Sequence, residues 1–254
     1  MISVIILGAG NLAFHLYKAF KASETIEIMQ WYNRNLKSIE QYKKDLEITN
    51  KLEELLIADI YILAVSDDAI KAISKKLPFS DRLVVHTSGA MTMHQIDKKN
   101  DRGVLYPLQT FSKDVDIDFS NVPFCLEVES KTNFDLLSEL CEAIGSSFYK
   151  INCEQRSALH LAAVFVNNFV NQVYRIGHEI TESKSVDFNI LKPLIMETAR
   201  KIENLSPYRA QTGPAIRNDK KTIKKHLKLL ENEQHKEIYK MLTKAIQQTH
   251  GKEL

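Results

Sequence analysis

An apolar run that passes through two glycines into an amphipathic helix opens the chain, and it restricts the fold more than any other feature. The sequence SVIILGAGNLAFHLYKAF, residues 3–20, begins with β-branched and leucine residues, a pattern typical of a strand buried on both faces. Gly8, Gly10 and Ala13 follow with G-x-G-x-x-A spacing. Gly8 allows a tight turn, Gly10 lets backbone approach a pyrophosphate, and Ala13 lets the helix pack close to the strand. The segment predicts a dinucleotide-binding unit, with a merely structural turn as the alternative.

The backbone of this turn is the expected pyrophosphate site. Free N–H groups and the helix dipole at the start of a helix both favour a bound anion. The predicted cofactor contacts here are Gly8, Ala9, Gly10, Asn11 and Leu12.

The second predicted strand, TIEIMQWYNRN, indicates which dinucleotide is bound. Sites for NAD usually have an acidic residue about 20 residues beyond the glycines, which holds the ribose 2′-hydroxyl. Positions 28–35 contain no acidic residue, and Asn33 and Arg34 stand there instead. Since an arginine can fork onto a phosphate, we expect NADP and assign Asn33 and Arg34 to its 2′-phosphate. A solvent-exposed arginine at a strand end is the alternative.

Two later strand–loop units place further polar residues where a ligand would bind. In an open parallel sheet, ligands lie beyond the carboxyl ends of the strands. The runs ADIYILAVSDDAIKAI and RLVVHTSGAM each end a predicted strand in such a loop. The expected cofactor contacts in these loops are Val65, Ser66, Asp67, Thr87 and Ser88, and the expected substrate contact is Gly89.

The remaining pattern divides the chain into two predicted domains. The segments VLYPLQTF and VPFCLEVES are expected to be edge strands, and SSFYKI a last strand. From Asn152 onward the strand patterns vanish and helical patterns follow one another. We therefore predict an α/β fold, with a Rossmann-type doubly wound parallel sheet over residues 1–151 and an all-α substrate or dimerisation domain over residues 152–254.

The first long helix of the second half carries an uncharged polar face. Its sequence LHLAAVFVNNFVNQVY, residues 159–174, has no Asp, Glu, Lys or Arg. At 100° per residue, His160, Asn167, Asn168 and Asn171 fall in one stripe. A face turned to bulk water normally carries charged residues, so we expect this stripe to face the nicotinamide.

Side-chain chemistry assigns roles on this stripe. An imidazole can give and take a proton near neutral pH, so His160 is the predicted proton donor to a reduced carbonyl or imine, opposite Ser88. Ser88 and Tyr106 are the next candidates for that proton. Amides bind polar substrate atoms without burying charge, so Asn168, with Asn167 or Asn171, is predicted to orient the substrate. The alternative is a core histidine whose asparagine neighbours bridge helices or a dimer partner.

A loop before a late helix, SPYRAQTGPAIRND, contains one residue that loop geometry does not explain. Asn218 suits a left-handed backbone position, and Asp219 suits a helix N-cap. Arg217 is either a ligand for a substrate carboxylate or phosphate or a member of a structural ion pair. The lysines that follow, from 220 to 228, lie outside an apolar stripe as on a solvated helix, so nucleic acid is not an expected partner.

Composition limits the classes of function. A net charge of +2 and 44% hydrophobic residues indicate neither disorder nor general attraction to nucleic acid. The three cysteines show no metal-ligand spacing, so no metal site is expected, and they are typical of reduced thiols in a cytoplasmic protein. No apolar run reaches the roughly 20 residues of a membrane span. The N-terminus lacks the basic start of a signal peptide, so we expect a cytoplasmic location.

With these motifs the chain resembles a bacterial family of NADP-dependent oxidoreductases that join a Rossmann-like domain to a C-terminal helical domain of unknown function. The motifs that carry the resemblance are Gly8-Ala9-Gly10, AVSDDAI, HTSGA, YPLQTF, the His160 helix with its asparagine pair, and TGPAIRND. The family is similar to β-hydroxyacid dehydrogenases, ketopantoate reductase and pyrroline-5-carboxylate reductase. The resemblance implies a helical domain across the nucleotide cleft, a small-molecule substrate and a homodimer.

The resemblance also identifies departures from the related enzymes. β-Hydroxyacid dehydrogenases carry a catalytic lysine in this helix, and Val164 occupies the corresponding position here. Tyr106-Pro107 stands where prephenate-type enzymes show His-Pro, and Asn218 stands where a glycine is expected. We expect a reductase that moves a hydride between NADPH and a small carbonyl or imine compound, with a non-catalytic NADP-binding sensor or scaffold as the alternative. A deazaflavin partner is implied only by the family's naming.

Overall fold

The chain folds into two compact units. In a computed structural model, which describes residues 1–250, the first unit is Met1–Phe165 and the second begins at Val166. The first contains an eight-stranded sheet with helices on both faces, and the second is helical. The predicted fold class is confirmed, whereas the domain limits at residue 151 stay a prediction.

A mostly parallel sheet carries the first unit. Its strands are β1 (Ile2–Leu7), β2 (Ile26–Tyr32), β3 (Ile48–Thr49), β4 (Ile60–Leu63), β5 (Leu83–His86), β6 (Asp101–Pro107), β7 (Phe124–Val128) and β8 (Phe148–Lys150). They lie in the order β3-β2-β1-β4-β5-β6-β7-β8, and only the β6–β7 pair is antiparallel within the described chain. The strand order reverses between β1 and β4, which opens a crevice at their carboxyl ends where such folds bind ligands.

Two strands lie inside the sheet, contrary to the sequence prediction. VLYPLQTF and VPFCLEVES, expected to be edge strands, contain most of β6 and all of β7, whereas the edges are β3 and β8. Adjacent residues of these strands are buried together, as Val104 and Leu105 are in β6 and Cys125 and Leu126 are in β7. Because adjacent side chains point to opposite faces, burial of both requires cover on both sides of the sheet. The prediction of edge strands was therefore wrong.

β1 illustrates how the sequence builds the core. The helices of this unit are α1 (Asn11–Ala22), α2 (Asp67–Lys76), α3 (Lys131–Glu142) and α4 (Cys153–Ala163). Val4 and Ile6 belong to an apolar cluster that includes residues of α1 and α3. Ile5 and Leu7 belong to a second cluster that includes residues of α2. Since side chains alternate along a strand, the unbroken apolar run places β1 between two helical layers.

The second unit consists of helices with local signals that match its sequence. They are α5 (Val170–Glu182), α6 (Lys192–Asn204), α7 (Pro207–Ala210), α8 (Lys220–Leu229) and α9 (Glu233–His250). Pro193 lies in the first turn of α6 and opens that helix rather than kinking it. Asp219 caps α8 by accepting a hydrogen bond from the Thr222 N–H at 3.0 Å, and Asn218 has a φ of 50°. Both predictions for this loop are confirmed.

Little of the apolar surface in the second unit is buried. Among residues 166–250, Ala215 is the one hydrophobic residue that is buried, and it is 8% exposed. Large apolar side chains are exposed instead, among them Val166, Val173, Ile180, Val186, Ile190, Leu194, Met196, Ile202, Leu229 and Met241. These exposed apolar side chains are distributed over several helices of the second unit.

A π-helical turn, Val164–Phe169, connects α4 to α5. The sequence analysis placed His160, Asn167, Asn168 and Asn171 in one stripe by assuming 100° per residue. That assumption is wrong here, because a π-helix closes its hydrogen bonds from i to i+5 and shifts the angular phase of every later residue. The α-helical geometry from which the single stripe was predicted is therefore interrupted between His160 and the asparagines.

The three cysteines differ in their exposure. Cys125 and Cys141 are buried, and Cys153, the first residue of α4, is partly exposed; all three are free thiols. Burial raises the pKa of the Cys125 and Cys141 thiols, which keeps them protonated and unreactive.

Residues 1–250 contain neither a candidate membrane span nor a candidate group of metal ligands. No helix there combines the length and the hydrophobicity that a bilayer crossing requires. No three His, Cys, Asp or Glu side chains there are grouped as metal ligands.

Candidate functional site

The glycine turn after β1 is formed by close packing against the residue that follows β4. Gly8 has a φ of +119°, and a Cβ atom there would collide with the carbonyl oxygen of Ala64. Glycine meets both requirements without strain. A Cβ atom on Gly10 would meet nothing within 4 Å, and Gly10 is the N-cap of α1 without a side-chain cap. The first N–H groups of α1 therefore lack a capping side chain and suit an anion.

A cleft of about 790 Å³ begins at this turn and has the size of a typical ligand pocket. Its lining residues are Gly8, Ala9, Gly10, Asn11, Leu12, Tyr32, Asn33, Arg34, Ser38, Leu52, Ala64, Val65, Ser66, Ala69, Ala72, Ile73, Lys76 and Thr87. Every predicted cofactor contact is among them except Asp67 and Ser88. The structure thus brings the glycine turn, the end of β2 and two later loops to one cleft.

The sequence prediction did not include the residues that form one wall of this cleft. Ala69, Ala72, Ile73 and Lys76 lie at positions i, i+3, i+4 and i+7 of α2, and so on one helical face. The periodicity was visible in the sequence, but a face of small and apolar residues is also typical of packing against a sheet. Only the tertiary arrangement distinguishes the two.

The charge of the cleft comes from Arg34 and Lys76. Neither forms an ion pair with a carboxylate in the described part of the chain. Asn33 is fixed by its own N–H, which donates to the Thr49 carbonyl at 3.0 Å, and by its amide, which donates to the Asn35 carbonyl at 2.8 Å. An uncapped helix start and unpaired cations in one cleft fit a dinucleotide with a phosphorylated ribose.

A hydrogen bond ties the start of α1 to the loop after β6. The Asn11 amide donates to the Phe111 carbonyl at 2.8 Å, and one turn later His15 Nε2 lies 2.8 Å from the Ser112 carbonyl. The side chain of Asn11 therefore holds a loop, which leaves its backbone N–H for a ligand.

A second polar group lies close to the cleft in the same unit. The hydroxyl of Tyr106, in β6, is 3.1 Å from Nδ1 of His160, on α4. Gly89 packs against both: a Cβ atom there would lie 2.7 Å from His160 Nδ1 and 2.7 Å from Tyr106 Cζ. Burial raises the pKa of Tyr106, so the phenol keeps its proton and is able to donate a hydrogen bond to the imidazole. Thr87, two residues from Gly89, lines the cleft.

The loop that carries Gly89 is held by a buried histidine. His86 Nδ1 accepts a hydrogen bond from the Ser88 N–H at 3.2 Å, so Nε2 carries the proton and donates to the Thr92 carbonyl at 3.1 Å. Burial lowers the pKa of His86 to about 4, and the ring is neutral at physiological pH. The Ser88 hydroxyl accepts from the N–H groups of Ala90 and Met91 at 3.2 and 3.1 Å. Ser88 thus shapes the turn.

A buried arginine, absent from the sequence prediction, fixes α4 to the same loop. Arg156 forms an ion pair with Glu127 of β7 and donates to the Met91 carbonyl at 2.6 Å. Its Nε has no hydrogen-bond partner. Because Arg156 precedes His160 by one helical turn, this anchor sets where His160 stands. A lone arginine in a helix gives no sequence signal of such a partner.

The remaining predicted residues belong to the second unit. Asn167 and Asn168 lie in the π-helical turn, and Arg217 lies in the loop before α8; all three are exposed. Their predicted contacts with substrate stay predictions.

Family models match both halves of the chain. Residues 3–89 match the model described as NADP oxidoreductase coenzyme F420-dependent. Residues 122–246 match a domain of unknown function, DUF2520. No curated protein matches the chain.

Solved structures resemble the chain over nearly its whole length. A "putative NADP oxidoreductase" from Bacteroides fragilis is 35% identical, with 97% of this chain and 98% of that chain covered and a TM-score of 0.86. A protein from Thermotoga maritima is 19% identical, with 98% and 99% covered and a TM-score of 0.74. A reductive aminase from Aspergillus terreus, in complex with NADPH and ethyl levulinate, is 14% identical, with 99% and 95% covered and a TM-score of 0.71. The last two similarities show the fold alone.

Proposed function

This chain belongs to the family of NADP oxidoreductases that join an F420-dependent type of oxidoreductase domain to a C-terminal domain of unknown function, and on that premise we propose that it is a reductase. Its cofactor is NADP. The proposed reaction moves a hydride to the carbon atom of a small carbonyl or imine compound. The oxygen or nitrogen atom of that compound takes a proton from the protein.

The cofactor assignment rests on the cleft that starts at Gly8. The backbone from Gly8 to Leu12 would hold the pyrophosphate, because the start of α1 has no capping side chain. Asn33 and Arg34 would hold the 2′-phosphate, and Lys76 adds a second cation to the same cleft. When bound there, NADPH supplies the hydride.

The observation that carries the proposed reaction is the contact of His160 and Tyr106 with Gly89. These side chains form a proton-transfer pair, and the loop they touch reaches the cofactor cleft at Thr87. A purely structural histidine would not need to lie against a loop whose neighbouring residue lines the cofactor cleft. The pair lies in the same compact unit as the cleft.

The protein's part in the reaction is to hold and deliver one proton. In the proposed arrangement the Tyr106 hydroxyl donates a hydrogen bond to His160 Nδ1, and the neutral imidazole carries its own proton on Nε2. As His160 Nε2–H gives its proton to the substrate atom that becomes a hydroxyl or amine, the Tyr106 proton moves to Nδ1, so that the imidazole stays neutral, and solvent reprotonates the phenolate. Ser88 is assigned a role in shaping the turn, because its hydroxyl oxygen accepts two backbone N–H groups there.

We also propose that the protein is a homodimer formed by the second unit. Residues 166–250 bury one hydrophobic residue, Ala215, and expose large apolar side chains along several helices. A second copy would cover the same patch on each chain and so remove both from water.

The reaction is tested by following NADPH oxidation with a panel of small aldehydes, ketones and cyclic imines, and with an oxidised deazaflavin. We expect turnover with at least one organic member, and a loss of about 10²-fold in His160→Ala. His94→Ala is the matched control, because His94 is exposed and lies outside the site.

Three results would count against this reaction. Unchanged turnover in His160→Ala would remove the assigned proton donor. Turnover with the deazaflavin alone would replace the organic substrate. NADPH binding without any oxidation would favour the non-catalytic sensor.

A further inference from the structure

The one tryptophan of the chain touches the glycine turn from its buried side. Trp31 lies near the end of β2, and its indole Nε1–H donates to the Gly8 carbonyl oxygen at 2.6 Å. The Gly8 N–H donates to the Tyr32 carbonyl at 2.9 Å. The Ala64 carbonyl oxygen packs against the Gly8 Cα and would lie 2.1 Å from a Cβ atom there. The Gly8 residue is therefore fixed at its N–H, its carbonyl and its Cα.

The indole is itself held rigidly. Its ring stacks against Tyr17 at a centroid distance of 5.0 Å and against Tyr42 at 4.9 Å, with interplanar angles of 28° and 26°. The Tyr17 hydroxyl in turn donates to Asp45 at 3.2 Å. The two tyrosine rings also lie 4.7 Å from each other, and Trp31 is only 1% exposed, so this buried aromatic cluster keeps the indole N–H in one direction.

The direction of this carbonyl determines the direction of the next N–H group. A trans peptide is planar and sets its C=O and N–H in opposite directions, so the Ala9 N–H points away from Trp31. Ala9 lines the cleft, and no acceptor for its N–H lies within hydrogen-bonding distance among residues 1–250. If this peptide turned over, an oxygen atom would replace that N–H in the anion-binding turn.

We propose that Trp31 is a positioning residue for the pyrophosphate site: its indole N–H holds the Gly8 carbonyl in the core and so keeps the Ala9 N–H available to the anion. This inference rests on the proposed function, because it requires that the cleft binds NADP. The glycines allow the turn to form, and the Trp31 N–H would fix the direction of the Ala9 N–H toward a phosphate.

Because the chain has one tryptophan, the donor can be deleted without changing the shape of the ring. Trp31 is replaced during expression by 3-benzothienylalanine, in which sulfur stands where the indole N–H was. Titration calorimetry then measures the dissociation constants of two ligands. NADPH carries the pyrophosphate, and 2′-AMP carries the 2′-phosphate without a pyrophosphate. Trp31→Phe is the genetically encoded second variant. Phe79→Leu is the control, since it removes an aromatic partner of Tyr61 and touches neither the indole nor the cleft lining.

We expect NADPH to bind about tenfold more weakly to both donor-free proteins, and 2′-AMP to bind within about twofold of the unmodified protein, because an unsatisfied buried carbonyl costs a factor of this size. Phe79→Leu should retain its NADPH affinity. Equal NADPH affinity in a folded donor-free protein would overturn the inference, as would equal weakening of both ligands, which indicates general loosening of the fold. Failure of the unmodified protein to bind NADPH would instead overturn the proposed function, and with it this inference.

Discussion

The phenol oxygen of Tyr106 and Nδ1 of His160 lie 3.1 Å apart, so one hydrogen bond joins β6 to α4 beside the cofactor cleft. Tyr106→Phe removes this bond and keeps the ring. We expect turnover to fall about tenfold, because the imidazole loses the donor that fixes its tautomer. NADPH affinity should not change, since Tyr106 does not line the cleft. Steady-state kinetics and an NADPH titration measure both quantities, with Tyr149→Phe, an exposed tyrosine of β8, as the control. A loss of affinity equal to the loss of turnover would contradict this role.

Gly89 should tolerate no side chain. A Cβ atom there would lie 2.7 Å from both His160 Nδ1 and Tyr106 Cζ, so Gly89→Ala must separate the pair. We expect a fall in turnover of about tenfold or more. Gly177→Ala is the matched control, because its Cβ would meet only Phe188, at 3.8 Å, and alanine favours a helix by about 0.5–1 kcal/mol. Thermal denaturation should show Gly177→Ala at or above the wild-type melting temperature. Full activity in Gly89→Ala would mean that the close packing is irrelevant to the reaction.

Arg34 should set the preference for NADP over NAD. A forked arginine–phosphate contact contributes about 1.5–3 kcal/mol, which corresponds to at least about tenfold tighter binding of NADP. Quenching of Trp31 fluorescence by each dinucleotide measures the two dissociation constants. Arg34→Ala should lose most of the preference, whereas Arg82→Ala, an exposed arginine outside the cleft, should keep it. Equal affinities in the wild-type protein would refute the assignment.

His86 should make the fold sensitive to acid. Burial lowers its pKa from the ordinary 6.5 to about 4, so between these values the unfolded chain binds a proton that the folded chain does not. The contribution of His86 to stability is complete above pH 6.5 and is lost as the pH falls toward 4, by up to about 3 kcal/mol. Urea denaturation at pH 7 and pH 5 tests this. His86→Gln should show a smaller loss between the two values, and His94→Gln, at an exposed position, should behave as wild type. The same pH dependence in His86→Gln would assign the effect to other groups.

Under the proposed dimer, we expect substitutions of two exposed valines to affect assembly differently. Val166 is 73% exposed in the second unit, and Val115 is 59% exposed in the first. Light scattering of the wild-type protein at micromolar concentration should give twice the chain mass of 29.1 kDa. Val166→Glu should dissociate the dimer, because a charge in an apolar interface is left unpaired, while Val115→Glu should not. A wild-type monomer would exclude this assembly.

The features that sequence reasoning predicted well are those fixed within a short segment. The φ of Gly8 and the helix that follows are local features of the glycine turn, whereas the packing of Ala64 against Gly8 is not. Asn218 and Asp219 are local in the same way. Each of these features can be recognised from a few neighbouring residues, so the sequence predicts it without any knowledge of tertiary contacts.

The features that it missed depend on distant partners or on helix phase. The role of Arg156 exists only because Glu127 and Met91, 29 and 65 residues away, meet it in the fold. The π-helical turn has no composition that marks it, so a regular helix over 159–174 gave the asparagines the wrong angular position. The positions of β6 and β7 inside the sheet likewise follow from what covers them rather than from their own residues.

The unequal exposure of the three cysteines makes the protein suited to chemical labelling. With Cys125 and Cys141 buried, a thiol-reactive dye meets Cys153 first, at the start of the helix that carries His160. A fluorophore could be attached there without adding or removing any cysteine. Its signal would report from α4, while the native tryptophan reports from the glycine turn. Two optical signals from one unmodified sequence would then follow the two halves of the proposed site separately.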